Sequence, residues 1–333
     1  MAAYFAGLER NGTVGSMDRV ARVEMRGIGA LDLSVIGLGG YELGDDPSWD
    51  GARAVIEAAV ASGINWIDTS EAYFEGTNER TIAAAMRDLA GQQMISTKVA
   101  PKPKGSGFEP NQIRHACEAS LSRLGVERVD IYLLHWPDDT GVSLEDTWAA
   151  MRRLVDDGLI RLAGLSNFGR DQIERCLRVG PVDLVQDCLS PIDGLANREL
   201  FRWCADRGIG VVTYEPLGNG MLAGAILVPE DFGRVVGDDY AEWEFWKRLF
   251  SPGRFERSAA VADGMRSIAE RIGCSLPQLA LAWNIHQPGV TSVLAGTRSP
   301  EHARDNGSAA SIDLPPDALA ELDELIPLGP SFA

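Results

Sequence analysis

The chain has 333 residues, 45% hydrophobic and 24% charged, which sets aside a disordered chain, a collagen-like fibre and a disulfide miniprotein. Its 31 basic and 48 acidic residues give a net charge of −17. That balance disfavours a nucleic-acid binder, which needs a basic face to displace counterions, and any anionic ligand must be held by local groups.

In chain order, residues 1–21 have no charged start followed by an apolar stretch and read as a flexible extension, not a secretory signal. No apolar run approaches the roughly 18 residues that a membrane span needs. Cys117, Cys176, Cys188, Cys204 and Cys274 are odd in number and widely spaced, so free thiols in a reducing cytoplasm are expected. No CxxC or HxxxH spacing points to a metal.

The glycine-broken alternation over 22–38 predicts a short hairpin leading into a strand. Seven further apolar runs follow: Ile64–Asp68, Met94–Val99, Val129–His135, Ile160–Leu165, Leu184–Cys188, Val211–Glu215 and Thr291–Ala295. With Val35–Leu38 these make eight strands. Between them the apolar residues recur at helical spacing, as at Ile113, Ala116, Cys117, Leu121 and Leu124, or Leu144, Trp148, Met151 and Val155. Asn197 and Ser258 are candidate helix caps. Strands that alternate with helices in one unbroken series argue for parallel strands joined by crossovers. The length prior of roughly 150 residues per domain gives two domains, but α/β barrels exceed it. The expected fold is therefore an α/β protein with one closed (β/α)8 barrel, the TIM-barrel architecture, spanning 22–333 behind the hairpin. A long loop over 218–257 follows the seventh strand and carries Trp243, Phe245, Trp246 and Phe250, either as a packed lid or as a helix on the rim. Residues 315–326 open Pro-Pro and predict a closing helix.

In such a barrel the site lies at the carboxyl ends of the strands. Asp68 and then Tyr73 follow the second strand, Lys98 ends the third and His135 the fourth. Adjacent strands lie about 4.8 Å apart, so these four side chains can converge. A phenol with a pKa of about 10 is a poor acid at neutral pH, and a neighbouring ammonium lowers that value. A carboxylate holds the ammonium charged and an imidazole orients a carbonyl oxygen. The set suits proton delivery to a C=O as hydride arrives on carbon, and the hydride must come from a cofactor. Gly37-Leu38-Gly39-Gly40 is set aside as a dinucleotide loop, because Glu42 stands where G-x-G-x-x-G needs its third glycine. His115 is expected on a helix surface and Trp66 inside the barrel.

These residues resemble the aldo-keto reductase family over nearly the whole chain after about residue 22. INWIDTSEAYFEGTNER resembles its Asp–Tyr motif, STKVA its lysine strand and YLLHWPD its histidine strand. GLSNF, Gln186, YEPLGNGML and AGTRSPEHARDN resemble its cofactor-binding segments. The resemblance implies an NADP-dependent oxidoreductase acting on C=O and CH–OH groups, running toward the alcohol or in reverse as a sugar or alcohol dehydrogenase. It implies Tyr73 as general acid, Lys98 and Asp68 as its tuning pair, and His135 as the group that orients the substrate. The implied cofactor contacts are Gly40, Tyr41, Asp68, Ser166, Asn167, Gln186, Tyr214, Glu215, Pro216, Leu217, Gly218, Gly220 and Leu222. Gly296, Thr297, Arg298, His302, Asp305 and Asn306 hold the adenosine end. A guanidinium fork at Arg298 matches a 2′-phosphate, so NADPH is expected ahead of NADH. Tyr41, Phe74, His135 and Trp136 are the expected substrate wall. Glu42, Asp45 and Asp46 make that mouth acidic, which favours sugars, neutral ketones or cationic metabolites over carboxylates. The same barrel also permits a cofactor-sensing regulatory subunit, as in potassium-channel β-subunits.

Overall fold

The computed structural model describes residues 23–87, 89, 93–101, 108–138, 141–226, 228, 231, 249–251 and 253–326. Strands β1 (Met25–Ile28) and β2 (Leu31–Ser34) form an antiparallel hairpin. The barrel strands are β3 (Ile36–Gly39), β4 (Trp66–Asp68), β5 (Met94–Val99), β6 (Val129–Leu134), β7 (Ile160–Ser166), β8 (Leu184–Cys188), β9 (Gly210–Tyr214) and β10 (Ser292–Gly296). All eight are parallel, and β10 closes the ring against both β9 and β3. The fold is the (β/α)8 barrel that the run of apolar strands predicts.

The chemistry of each strand explains its place. Alternate residues point in and out, so one set fills the barrel and the other meets the helices. Trp66, Ile131, Leu133, Leu162, Leu184, Val212 and Leu294 form the inner cluster, and Ile28, Leu31 and Leu33 of the hairpin plug its lower end. Trp66 fills the interior as expected; a Cβ on Gly37 would lie 2.2 Å from its ring, so only glycine fits opposite it.

Outside lie α1 (Asp50–Ala61), α2 (Thr77–Met86), α3 (Pro110–Leu124), α4 (Leu144–Asp156), α5 (Arg170–Leu177) and α6 (Asn197–Ala205). They are followed by α7 (Arg254–Ile272), α8 (Leu276–Ile285), α9 (Pro300–Ser308) and α10 (Pro316–Leu325), the last being the predicted closing helix. The predicted faces of α3 and α4 are the ones buried, with Ile113, Cys117, Trp148 and Met151 inaccessible to solvent.

Two cap assignments are corrected. Asn197 is the first residue of α6 behind Ala196, and its Nδ2 donates to the Cys188 carbonyl (3.0 Å), tying the helix to β8. Ser258 lies buried inside α7, whose start is Gly253, with the Glu256 carboxylate accepting from the Gly253 N–H. Of the predicted long loop, Gly218–Gly220 form a short turn, and Phe250 lies beside Phe255 with ring centroids 6.1 Å apart. Trp243, Phe245 and Trp246, like residues 1–21, lie outside the described residues. The five cysteines are free, and among the described residues no cluster could hold a metal ion and no helix is long and apolar enough to cross a membrane.

Candidate active site

The upper ends of β4, β5 and β6 bring four predicted residues together. Lys98 is inaccessible to solvent and its ammonium has three protons to donate. It has three acceptors: the Asp68 carboxylate, the Thr69 carbonyl (2.9 Å) and the Tyr73 hydroxyl (3.5 Å). The other Asp68 oxygen accepts from Gln186 Nε2 at 3.2 Å, so Gln186, expected on the cofactor, braces the carboxylate. The His135 ring meets the phenol edge-on, with centroids 5.7 Å apart. Its Nδ1 sits 2.9 Å from Ser70 Oγ, which fixes the ring and leaves Nε2 as its other polar atom.

Tyr73 rides on a strained turn. Phe74, Glu75 and Gly76 follow it with φ of 49°, 53° and 82°, a left-handed run in which two residues are not glycine. Such backbone is costly and collects at functional sites.

The electrostatics correct one expectation. The Tyr73 phenol is pushed well above its ordinary value, first by burial and then by Asp68, Glu42 and Glu215. Lys98 does not produce the net lowering that adjacency alone predicts. Burial lowers the Lys98 ammonium itself, while Asp68 and Glu79 act to hold its proton. The phenol is therefore kept protonated, with the Lys98 ammonium 3.5 Å from its oxygen.

The remaining predicted contacts ring this centre. Asn167, at φ 67°, donates from Nδ2 to the His135 carbonyl (2.9 Å) and Ser166 Oγ (3.1 Å). Its Oδ1 accepts from the Tyr214 hydroxyl at 2.6 Å, linking β6, β7 and β9. Glu215, Gly218, Asn219 and Gly220 all adopt positive φ, and Asn219 Nδ2 donates to the Glu215 carboxylate at 3.4 Å. Burial and the nearby Asp193 push Glu215 well above the usual carboxylate range. Pro216 and Leu217 belong to the same turn. Leu222 is fully buried in the outer core.

Across the mouth, Gly296 and Gly39 pair as bare backbone, with Gly40 and Thr297 beside them. The Arg298 guanidinium lies over the Trp49 ring, 4.8 Å from its centroid. Ser299 caps α9, its Oγ accepting from His302 N; His302 and Asp305 are exposed on that helix, and Asn306 is buried. Tyr41 stacks on Phe74 (5.0 Å) and meets Tyr73 edge-on (5.1 Å), and Trp136 packs against His135 at 4.3 Å, so the four predicted substrate-wall residues form one aromatic border around the phenol.

Sequence reading misses Ser70, Glu79, Arg123 and Trp49. Each acts through a partner far along the chain, and no local spacing marks such contacts. Only the polar Asn78-Glu79 pair opening an otherwise apolar helix face gives a signal.

A closed barrel with a buried lysine, carboxylate and phenol at its upper mouth defines a carbonyl–alcohol oxidoreductase that works with a bound nicotinamide. The comparisons agree. The Aldo/keto reductase family model matches residues 35–327, and the chain belongs to that family. A relative in Escherichia coli (strain K12), an NADH-specific methylglyoxal reductase, is 33% identical over 312 residues, covering 85% of this chain and 92% of the relative. A glycerol dehydrogenase structure from Gluconobacter oxydans matches with TM-score 0.79 and 25% identity, covering 93% and 98% of the two chains. An aldo-keto reductase from Klebsiella pneumoniae in complex with NADPH matches with TM-score 0.70 and 27% identity, covering 91% and 94%.

Proposed function

We propose that this protein reduces a small uncharged aldehyde, ketone or open-chain sugar with NADPH, and that Tyr73 delivers the proton. The observation that carries the reading is the threefold use of the Lys98 ammonium, which ties carboxylate, backbone and phenol into one unit. Bound in reduced form, a nicotinamide supplies the hydride. The substrate oxygen lies between the Tyr73 hydroxyl and His135. As its carbon gains hydride, the oxygen takes the Tyr73 proton, and Lys98 steadies the phenolate until solvent restores it. Run backward, the same phenolate accepts the alcohol proton.

The residues present fit such a cofactor. Tyr214 offers a half-buried ring, and Ser166 and Asn167 offer amide and hydroxyl partners. The turn at 217–220 offers backbone of the kind that receives anions. Gly39 and Gly296 pair as backbone at the groove, and the Glu42 side chain lies against Gly296, where a Cβ would clash with its carboxylate. Arg298 is exposed with its face on Trp49, which supports a 2′-phosphate and so NADPH, although the Escherichia coli relative is named for NADH. The acidic mouth at Glu42, Asp45 and Asp46 disfavours carboxylate substrates, and the net charge of −17 disfavours nucleic acid. The test is a panel of aldehydes, ketones, sugars and polyols, methylglyoxal and glycerol included, with both cofactors in both directions. NADPH-driven carbonyl reduction is expected. Inertness toward the whole panel would overturn the reading, and turnover with NADH alone would overturn the cofactor assignment.

A further inference from the structure

We propose that Arg123 is a positioning residue: its guanidinium clasps both flanks of the loop carrying Tyr73 and so holds the phenol at its working distance from Lys98. The proposal rests on the reading of Tyr73 as proton donor given above. The loop leaves β4 at Asp68 and enters α2 at Thr77. Its left-handed run at Phe74, Glu75 and Gly76 persists only where the surroundings over-determine it. Those surroundings converge on α3. Ahead of Tyr73, the Glu71 N–H donates to the Lys98 carbonyl (3.2 Å) and its Oε1 accepts from Ala100 N (3.1 Å), while Oε2 lies 3.8 Å from Arg123 Nη2. Behind Tyr73, Glu79 Oε2 accepts from Arg123 Nε. Between them Gly76 backs onto the guanidinium so closely that a Cβ would lie 2.6 Å from Nε. Arg123 is fixed on its own helix by Nη2 donating to Ser120 Oγ at 3.0 Å.

The second end of the clasp reaches the lysine strand. Glu79 is inaccessible to solvent, and its Oε1 accepts from the Thr97 hydroxyl at 2.6 Å. Thr97 is next to Lys98 on β5, so its side chain faces outward where that of Lys98 faces inward. One carboxylate thus grips the back of the strand whose front carries the ammonium, and one guanidinium joins that carboxylate to the Tyr73 loop. A buried ion pair is a weak general stabiliser compared with apolar packing. A planar fork that meets two carboxylates and the glycine between them does what apolar packing cannot: it sets a direction.

The test compares Arg123→Met and Arg123→Lys in the wild type and in a Tyr73→Phe background. Arg123→Met is expected to lower kcat at least tenfold, with KM for the carbonyl and Kd for NADPH within threefold, and Arg123→Lys is expected to recover part of the loss. With Tyr73→Phe already present, Arg123→Met is expected to change turnover less than twofold. An equal loss in both backgrounds, or an unchanged kcat in Arg123→Met alone, overturns the proposal. If Arg123→Met does not fold, Thr97→Val removes the hydroxyl and keeps the ion pair, and the same dependence on Tyr73 is required of it. A crystal structure of the folded variant gives a readout independent of activity. The Tyr73–Lys98 separation is expected to exceed 3.5 Å, and an unchanged separation overturns the clasp. A wild type inert toward every carbonyl would overturn the proposed function and leave this structural readout to decide the clasp by itself.

Discussion

Replacing Lys98 by Met removes a charge that lies 3.5 Å from the Tyr73 hydroxyl and sits against the Asp68 carboxylate. At that distance, with an effective dielectric of about 20, a unit positive charge stabilises a phenolate by about 5 kcal/mol. Allowing for relaxation of the site, the expected loss in kcat is about 10³-fold, within the range of general acid catalysis. The same change strands a carboxylate that is 4% exposed, and breaking a buried pair from one side costs about 3–5 kcal/mol. The two effects separate in the double variant Lys98→Met/Asp68→Asn, which removes both charges. It should regain most of the thermal stability and little of the turnover. The assays are initial rates of NADPH oxidation, quenching of tryptophan fluorescence for cofactor affinity, and thermal melts. A single variant that turns over within tenfold of wild type, or a double variant whose kcat recovers together with its Tm, would refute the electrostatic argument.

Three further outcomes rest on the same geometry. Arg298→Met should weaken NADPH binding by roughly 10–100-fold and leave NADH binding within about twofold, as expected for loss of a charge-assisted phosphate contact, read by fluorescence titration with both cofactors. Because Tyr73 is raised by burial and by Asp68, Glu42 and Glu215, carbonyl reduction should hold its rate well into alkaline pH, whereas alcohol oxidation, which needs the phenolate, should climb with pH; a reduction profile falling by about pH 8 would contradict this. Burial pushes Asp187 up to about 6 from the usual 3.8, so the folded state binds its proton more tightly than the unfolded one. Its contribution is fully present below about pH 4 and is lost as pH rises through about 6, so Asp187→Asn should raise stability by roughly 1–3 kcal/mol at about pH 8 and by little at about pH 4, measured as Tm at both values.

The barrel is readable because its strands are short β-branched runs between helices with clear 3.6-residue faces, a pattern that tertiary context does not override. Strand ends shift by one or two residues, as at β4, which begins at Trp66 and not at Ile64. Helix starts are less legible. Ser258 reads as a cap because an aromatic-rich sequence precedes it, and the true start at Gly253 depends on Glu256 reaching back one turn. In the site, the residues at the strand ends are legible because the barrel dictates where they point. The supports are not. Ser70 meets His135 across 65 positions and Arg123 meets Glu79 across 44, and such pairings exist only once the strands are side by side. Nor can adjacency to a lysine give the net shift at Tyr73, since burial and three carboxylates outweigh one ammonium.

The most direct measurement is the turnover of Tyr73→Phe under saturating NADPH, with cofactor affinity determined on the same sample. Loss of the hydroxyl alone should lower kcat by at least about 10²-fold while NADPH binds as before. A Tyr73→Phe enzyme that reduces its best carbonyl at the wild-type rate would show that the proton comes from elsewhere.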